Sequence, residues 1–133
     1  MSSPRVLIVE DSGMMRTMYK SLLTAAFPQA HIELADDGST ALSSLGDHCF
    51  DLVITDLNMP EMGGEELFCR LESQFQAGQL SRMPLFIFCS ASTGEIPSLD
   101  AICERSGGRR LAKPFTVDQI EACVRSMLGP SSS

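Results

Sequence analysis

The sequence predicts an alternating (βα)5 fold: a five-stranded parallel sheet with helices on both faces. Three observations carry that expectation. Five short runs rich in β-branched and aromatic residues are spaced along the chain, helical periodicity fills the intervals, and each run stops abruptly at polar or turn-forming residues. Strands buried on both faces read as continuous apolar runs, and parallel neighbours need a crossover helix between them. A length of 133 residues suffices for one good core and not for two, so residues 1–133 read as a single domain with its core at about 5–128.

The first run, Arg5–Val9, ends on Glu10-Asp11. Met15, Met18, Tyr19, Leu22, Leu23 and Ala26 then form one amphipathic stripe, with Ser12 or Asp11 able to cap the helix and Phe27-Pro28 ending it. His31–Ala35 gives the second strand and Asp36-Asp37-Gly38 a turn. A second helix spans roughly Ser39–Leu45 and is expected to close at Gly46. The third strand, in Phe50–Pro60, runs through Leu52, Val53 and Ile54 to Asp56, with Asn58 and Met59-Pro60 beyond it. The third helix, roughly Glu65–Phe75, places Leu67, Phe68, Leu71 and Phe75 on one side. Leu85–Cys89 is the fourth strand, Pro97–Ser106 the fourth helix, and Leu111-Ala112 the middle of a short fifth strand that stops at Lys113-Pro114. The capping box Thr116-x-x-Gln119 opens the last helix, with Val117, Ile120, Val124 and Leu128 as its apolar positions. The tail, 129–133, reads as disordered.

Composition narrows the function. A net charge of −7 argues against a nucleic-acid binder, which needs a basic surface. No apolar run approaches the length of a membrane span and the N-terminus lacks secretory features, so a cytoplasmic protein is expected. The five cysteines are odd in number and form no C-x-x-C pair, so buried free thiols are expected. His31 and His48 lie far apart without a cysteine at ligand spacing and receive no role.

The strand ends matter jointly. In a parallel sheet the carboxyl ends share one edge, where ligands of open α/β sheets bind. That edge would gather Glu10, Asp11, Asp56, Ser90 and Lys113. Singly, each has a plain alternative: the acid pair a helix cap, Asp56 and Ser90 turn residues, Lys113 a solvated charge. Together they describe a site. Crowded acids repel unless a cation relieves them, and an oxygen-only donor set selects a hard ion; Mg²⁺ suits a site that must also take phosphate. An aspartate is a competent nucleophile toward phosphorus, while Lys113 and Ser90 could offset charge on the transferring group. There is no G-x-x-x-x-G-K-[ST] loop to cradle a nucleotide, so the phosphoryl donor must be something else.

The set Glu10-Asp11, Asp56 within DLNMP, Ser90-Ala91 and Lys113-Pro114-Phe115 resembles the receiver domain of two-component response regulators, of the CheY-like kind, over about Arg5–Leu128. The resemblance implies the flavodoxin-like strand order 2-1-3-4-5. It implies that Asp56 accepts a phosphoryl group from a sensor histidine kinase or phosphotransfer protein. Mg²⁺ would be held by Glu10, Asp11 and Asp56, with the backbone carbonyl of Asn58 completing the protein's ligands. Ser90 would hydrogen-bond the phosphate, Lys113 would pair with it, and Lys113-Pro114 would be cis. The fourth helix, fifth strand and fifth helix would form the face that a downstream partner reads, and Asn58 and Ser92 would tune dephosphorylation. A stand-alone switch is implied, monomeric or weakly dimeric, and not an enzyme acting on an external metabolite.

Two positions depart from the family pattern. Arg110 stands where an aromatic is usual; a guanidinium tucks poorly into an apolar pocket, so it is expected to stay outward, solvated beside Arg109 or meeting an acidic partner. Gly63-Gly64 replaces a commoner acid-glycine pair and is expected to permit positive φ. Two other functions compete: a binding module of the same fold that works without phosphate, and an aspartate-nucleophile hydrolase. The hydrolase ranks last, because such sites carry D-x-D on the first strand.

Overall fold

The computed structural model describes residues 3–91 and 94–128. The tail and Ser92, for which the sequence suggests disorder and a tuning role, lie outside the described residues. In chain order the elements are β1 (Arg5–Val9), α1 (Gly13–Ala26), β2 (His31–Ala35), α2 (Gly38–Asp47), β3 (Leu52–Asp56), α3 (Gly64–Gln76), β4 (Leu85–Ser90), α4 (Pro97–Ser106), β5 (Arg109–Ala112) and α5 (Val117–Leu128). The strands are all parallel, in the order β2-β1-β3-β4-β5. Both the alternation and the order agree with expectation.

Successive side chains along the central strands point to opposite faces and fill two cores. On one side Leu7, Val9, Val53, Phe86 and Phe88 meet α2, α3 and α4 through residues such as Leu45, Phe68 and Ile102. On the other, Val6, Ile8, Leu52, Ile54 and Ile87 meet α1 and α5 through Tyr19, Leu23, Ile120 and Val124. Phe68 packs edge-on against Phe86 at 5.2 Å between centroids, and Phe86 stacks on Phe88 at 5.3 Å. Such wholly buried aromatics contribute roughly 3–5 kcal/mol each, judged by truncation to alanine. They fix the middle of the sheet, from which the site projects.

Local differences from the sequence-based reading have physical causes. Helix α2 starts earlier and ends later than expected: Asp37 caps it by accepting the Thr40 N–H at 2.7 Å, and it runs through Gly46 to Asp47. Glycine permits a helix end but does not impose one. Helix α4 does stop on glycine, Gly107, at φ 74°, where a Cβ would be strained. Met18, Phe75 and Val117, read as core-facing, are 46%, 41% and 56% exposed, because each lies at the margin of its helix's buried stripe. Of the five free cysteines only Cys89 is fully buried; Cys49 and Cys69 are exposed. No described helix is long and apolar enough to cross a membrane.

The glycine pair serves close approach instead of positive φ. Gly63 has φ −81°, and Gly64 is the first residue of α3. A Cβ on Gly63 would run into the Leu57 carbonyl oxygen, and one on Gly64 would sit 2.9 Å from the Asp56 carbonyl oxygen. The Gly64 N–H bonds the Leu57 carbonyl at 3.1 Å. The pair therefore lets α3 start directly against the end of β3. Gly63→Ala should destabilise the fold by about 2 kcal/mol through backbone displacement. Gly46→Ala, which meets no atom within 4 Å, should stabilise it by roughly 0.5–1 kcal/mol through helix propensity. Urea unfolding of both variants measures the contrast.

Candidate functional site

The strand register brings the predicted residues to one edge. Val9 is level with Thr55, Asp56 with Cys89, and Ser90 with Ala112, so the residues at or just past these positions surround one depression. The adjacent ends are tied together: Leu57 N–H donates to the Cys89 carbonyl and Lys113 N–H to the Ser90 carbonyl, each at 2.8 Å. The Lys113-Pro114 peptide is cis, as the resemblance implied.

Glu10, Asp11 and Asp56 each place a carboxylate oxygen within 4.8 Å of the other two. Lys113 completes the cluster, its Nζ 3.0 Å from Asp56 Oδ2 and 3.7 Å from Glu10 Oε1. The Glu10 side chain is 5% exposed, that of Asp56 13% and that of Lys113 23%, so charge deepens inward while Asp56 stays reachable. Asp11 is exposed at the rim, as is Asn58, whose backbone N–H donates to Asp56 Oδ1 at 3.3 Å. Ser90 is wholly buried at the end of β4.

The electrostatics follow from crowding. Burial pushes the Glu10 carboxyl above the ordinary carboxylate range; the Ser12 N–H at 3.2 Å and the Lys113 charge oppose this, while Asp11 and Asp56 add to it. Burial pulls the Lys113 ammonium down, but the hydrogen bond and charge of Asp56 and the charge of Glu10 outweigh it and hold lysine above its usual value. The donor set fits a hard divalent ion: only oxygens, from three carboxylates at one edge, one of them held toward its neutral form by burial and like charge.

Two nearby residues have contacts that the sequence did not show. Arg16 folds back over the start of α1 and donates from one guanidinium nitrogen to the Glu10 carbonyl at 2.7 Å. Helical spacing gave no sign of this, because position 16 lies off the apolar stripe. Tyr19 fell in that stripe correctly, yet its buried hydroxyl has no hydrogen-bond partner among the described residues. Its ring stacks on Phe115 at 5.8 Å. Burial, then the charges of Cys89, Glu10 and Asp56, push its phenol pKa up. Arg110 is half-buried on the α4 side of β5, where its charge acts on the Cys103 thiol, so it is not simply outward as expected. Its aliphatic stem can cover apolar surface while the head stays polar.

A parallel sheet in this order, with an acid trio and a lysine at its carboxyl edge, defines a receiver-type α/β domain. The response regulator receiver domain family matches residues 6–125, and the chain belongs to that family. It is 30% identical over 125 residues to the chemotaxis protein CheY of Bacillus subtilis (strain 168), covering 93% of this chain and 97% of that protein. Its fold is similar to that of the chemotaxis response regulator CheY4 of Vibrio cholerae, with a TM-score of 0.77 and 27% identity over 95% of this chain and 99% of that one. The receiver domain of the sensor histidine kinase PA1611 of Pseudomonas aeruginosa PAO1 shares the fold at a TM-score of 0.74 and 21% identity, over 96% of this chain and 99% of that one. That structure holds a magnesium ion coordinated in its active-site cleft.

The raised Glu10 pKa has a consequence for stability. The native state holds this proton more tightly than the unfolded chain, so its contribution is full below the ordinary carboxylate pKa and is lost as pH rises through the native value. Glu10→Gln should therefore raise the urea midpoint at pH 7 in metal-free buffer. The gain over wild type should vanish toward pH 4, which paired unfolding curves at the two pH values would check.

Proposed function

We propose that the chain is a phosphorylation-operated signalling switch in which Asp56 accepts a phosphoryl group from the phosphohistidine of a sensor kinase or phosphotransfer protein. The observation that carries it is the Lys113–Asp56 contact of 3.0 Å inside a three-carboxylate cluster at the carboxyl edge of the sheet. An Asp56 carboxylate oxygen attacks phosphorus, forms an acyl phosphate and releases the donor's histidine. Lys113 then pairs with the new phosphoryl oxygens, and the Ser90 hydroxyl donates to one of them. The carboxylates of Glu10, Asp11 and Asp56 and the backbone carbonyl of Asn58 would hold Mg²⁺. When bound, that ion would offset negative charge on the phosphoryl group.

The new charge and acceptor oxygens at the edge bias the neighbouring α4, β5 and α5 toward a partner-binding arrangement. Arg109 is exposed, and the guanidinium of Arg110 lies on the α4 side of the same strand. They put two cations on that strand, able to pair with acidic side chains of a partner protein. The match to CheY of B. subtilis, over 97% of that protein, supports a switch of the CheY kind; on our reading it acts in the cytoplasm as a monomer or weak dimer and not as an enzyme on an external metabolite. Arg110 in the half-buried position favours one alternative, a receiver-fold binding module that works without phosphate.

Intact-mass spectrometry after incubation with acetyl phosphate and Mg²⁺ separates the two. One added phosphoryl group is expected, dependent on Mg²⁺ and lost in Asp56→Asn. No adduct on wild type, with Mg²⁺ shown to bind, would leave the phosphate-independent module.

A further inference from the structure

Arg16 is a guanidinium out of its ordinary place. It sits in the first turn of α1, where the helix dipole opposes a cation by roughly 0.3–1 kcal/mol. The first turns of α3, α4 and α5 follow the usual rule and carry Glu65 and Glu66, Asp100, and Asp118. The guanidiniums of Arg5, Arg70, Arg82, Arg105 and Arg125 each lie on a carboxylate. Arg16 has no carboxylate partner among the described residues, although Glu10 and Asp11 are close by in the chain. One of its nitrogens donates to the Glu10 main-chain carbonyl, and its other donors have no partner among the described residues. The second terminal nitrogen lies across the start of the helix, 3.4 Å from where a Gly13 Cβ would stand. The head is thereby held on the main chain of a residue that lines the acidic depression, with most of its fork unused.

The charge balance says what such a fork can do. The depression holds three carboxylates against one ammonium, and that ammonium is engaged with Asp56 and Glu10. An anionic phosphoryl donor approaching Asp56 is repelled unless a cation at the mouth receives it. We propose that Arg16 is a specificity-determining residue that binds the non-bridging oxygens of the incoming phosphoryl group and aims its phosphorus at Asp56. This rests on Asp56 being the acceptor and adds the residue that receives the donor. In the step itself the Asp56 oxygen bonds to phosphorus while the donor's P–O or P–N bond breaks, and the leaving acetate or amine departs with its electron pair, the amine taking a proton from water. Arg16 transfers no proton in this step, and its contact with the donor is bidentate where the fork allows.

The test uses the full chain, Arg16→Gln and Arg16→Lys, with acetyl phosphate as the P–O donor and phosphoramidate as the P–N donor. Rates of adduct formation are read by intact mass, and Mg²⁺ affinity is measured separately by titration calorimetry. Arg16→Gln is expected to lower the second-order rate with both donors on the order of tenfold, the loss of one charge-assisted contact. Arg16→Lys should recover a large part of it, and raised salt should slow wild type more than Arg16→Gln. Mg²⁺ should bind Arg16→Gln as tightly as wild type or more tightly, since a nearby positive charge is gone. Loss with acetyl phosphate alone would assign the contact to acyl phosphates, and loss with phosphoramidate alone to the P–N donors of phosphohistidine type. Equal rates in wild type and Arg16→Gln would overturn the proposal. So would rate and Mg²⁺ affinity falling in parallel, because Arg16 would then act only by holding Glu10. Absence of an adduct on wild type with either donor would refute the acceptor role of Asp56 itself, an outcome distinct from both.

Discussion

The ammonium of Lys113 between Asp56 and Glu10 is the contact on which the functional edge depends. Three acids at one place are unfavourable together, and burial of Glu10 makes its charged form costlier still. A single amine, on the residue just past β5, offsets part of that cost because it reaches both carboxylates, at 3.0 and 3.7 Å. The lysine can do so because its own backbone N–H is pinned to the Ser90 carbonyl, which sets where the side chain begins. Charge, register and strand pairing are thus linked at one point.

The scaffold beneath that point is stiff where it must be. Central strands with both faces buried cannot slip by a residue without turning their side chains into the wrong core. Strands β1, β3 and β4 each contribute apolar side chains to both cores. The site residues start where that packing ends, so they inherit its position without sharing its burial. The rim is different in character. Asp11 and Asn58 are exposed, and β3 joins α3 through a turn whose glycines allow contact with the Leu57 and Asp56 carbonyls. Helix α4 is tied to α3 by the Ser98 hydroxyl on Glu65 at 2.6 Å and a two-pronged Arg105–Glu72 contact at 2.9 Å. Solvent-screened pairs of this kind contribute modestly to stability, so α4 is held chiefly by the burial of Leu99 and Ile102 in the core.

Much of this was legible in the chain. The five strands, their order by analogy, and the convergence of Glu10, Asp11, Asp56, Ser90 and Lys113 follow from apolar runs that end on chemical groups, since a parallel sheet aligns those ends automatically. Margins were less legible. The extension of α2 past Gly46, the exposure of Met18, Phe75 and Val117, and the exposed cysteines depend on what neighbouring elements cover. Periodicity identifies a helical face and says nothing of how wide its cover is. The role of Gly63-Gly64 also differed, because close approach to a carbonyl is a property of two segments and not of one dipeptide.

By itself, then, the sequence determined the class of fold and the donor set of the site, because both are written in residue types at strand ends. Only the tertiary structure decided which cation faces which acid, that Arg16 turns back onto Glu10, that Tyr19 carries a buried unpartnered hydroxyl, and that Arg110 is half-buried toward α4. Long side chains have several rotamers of similar energy, and the choice among them is made by packing and fields from elements far away in the chain.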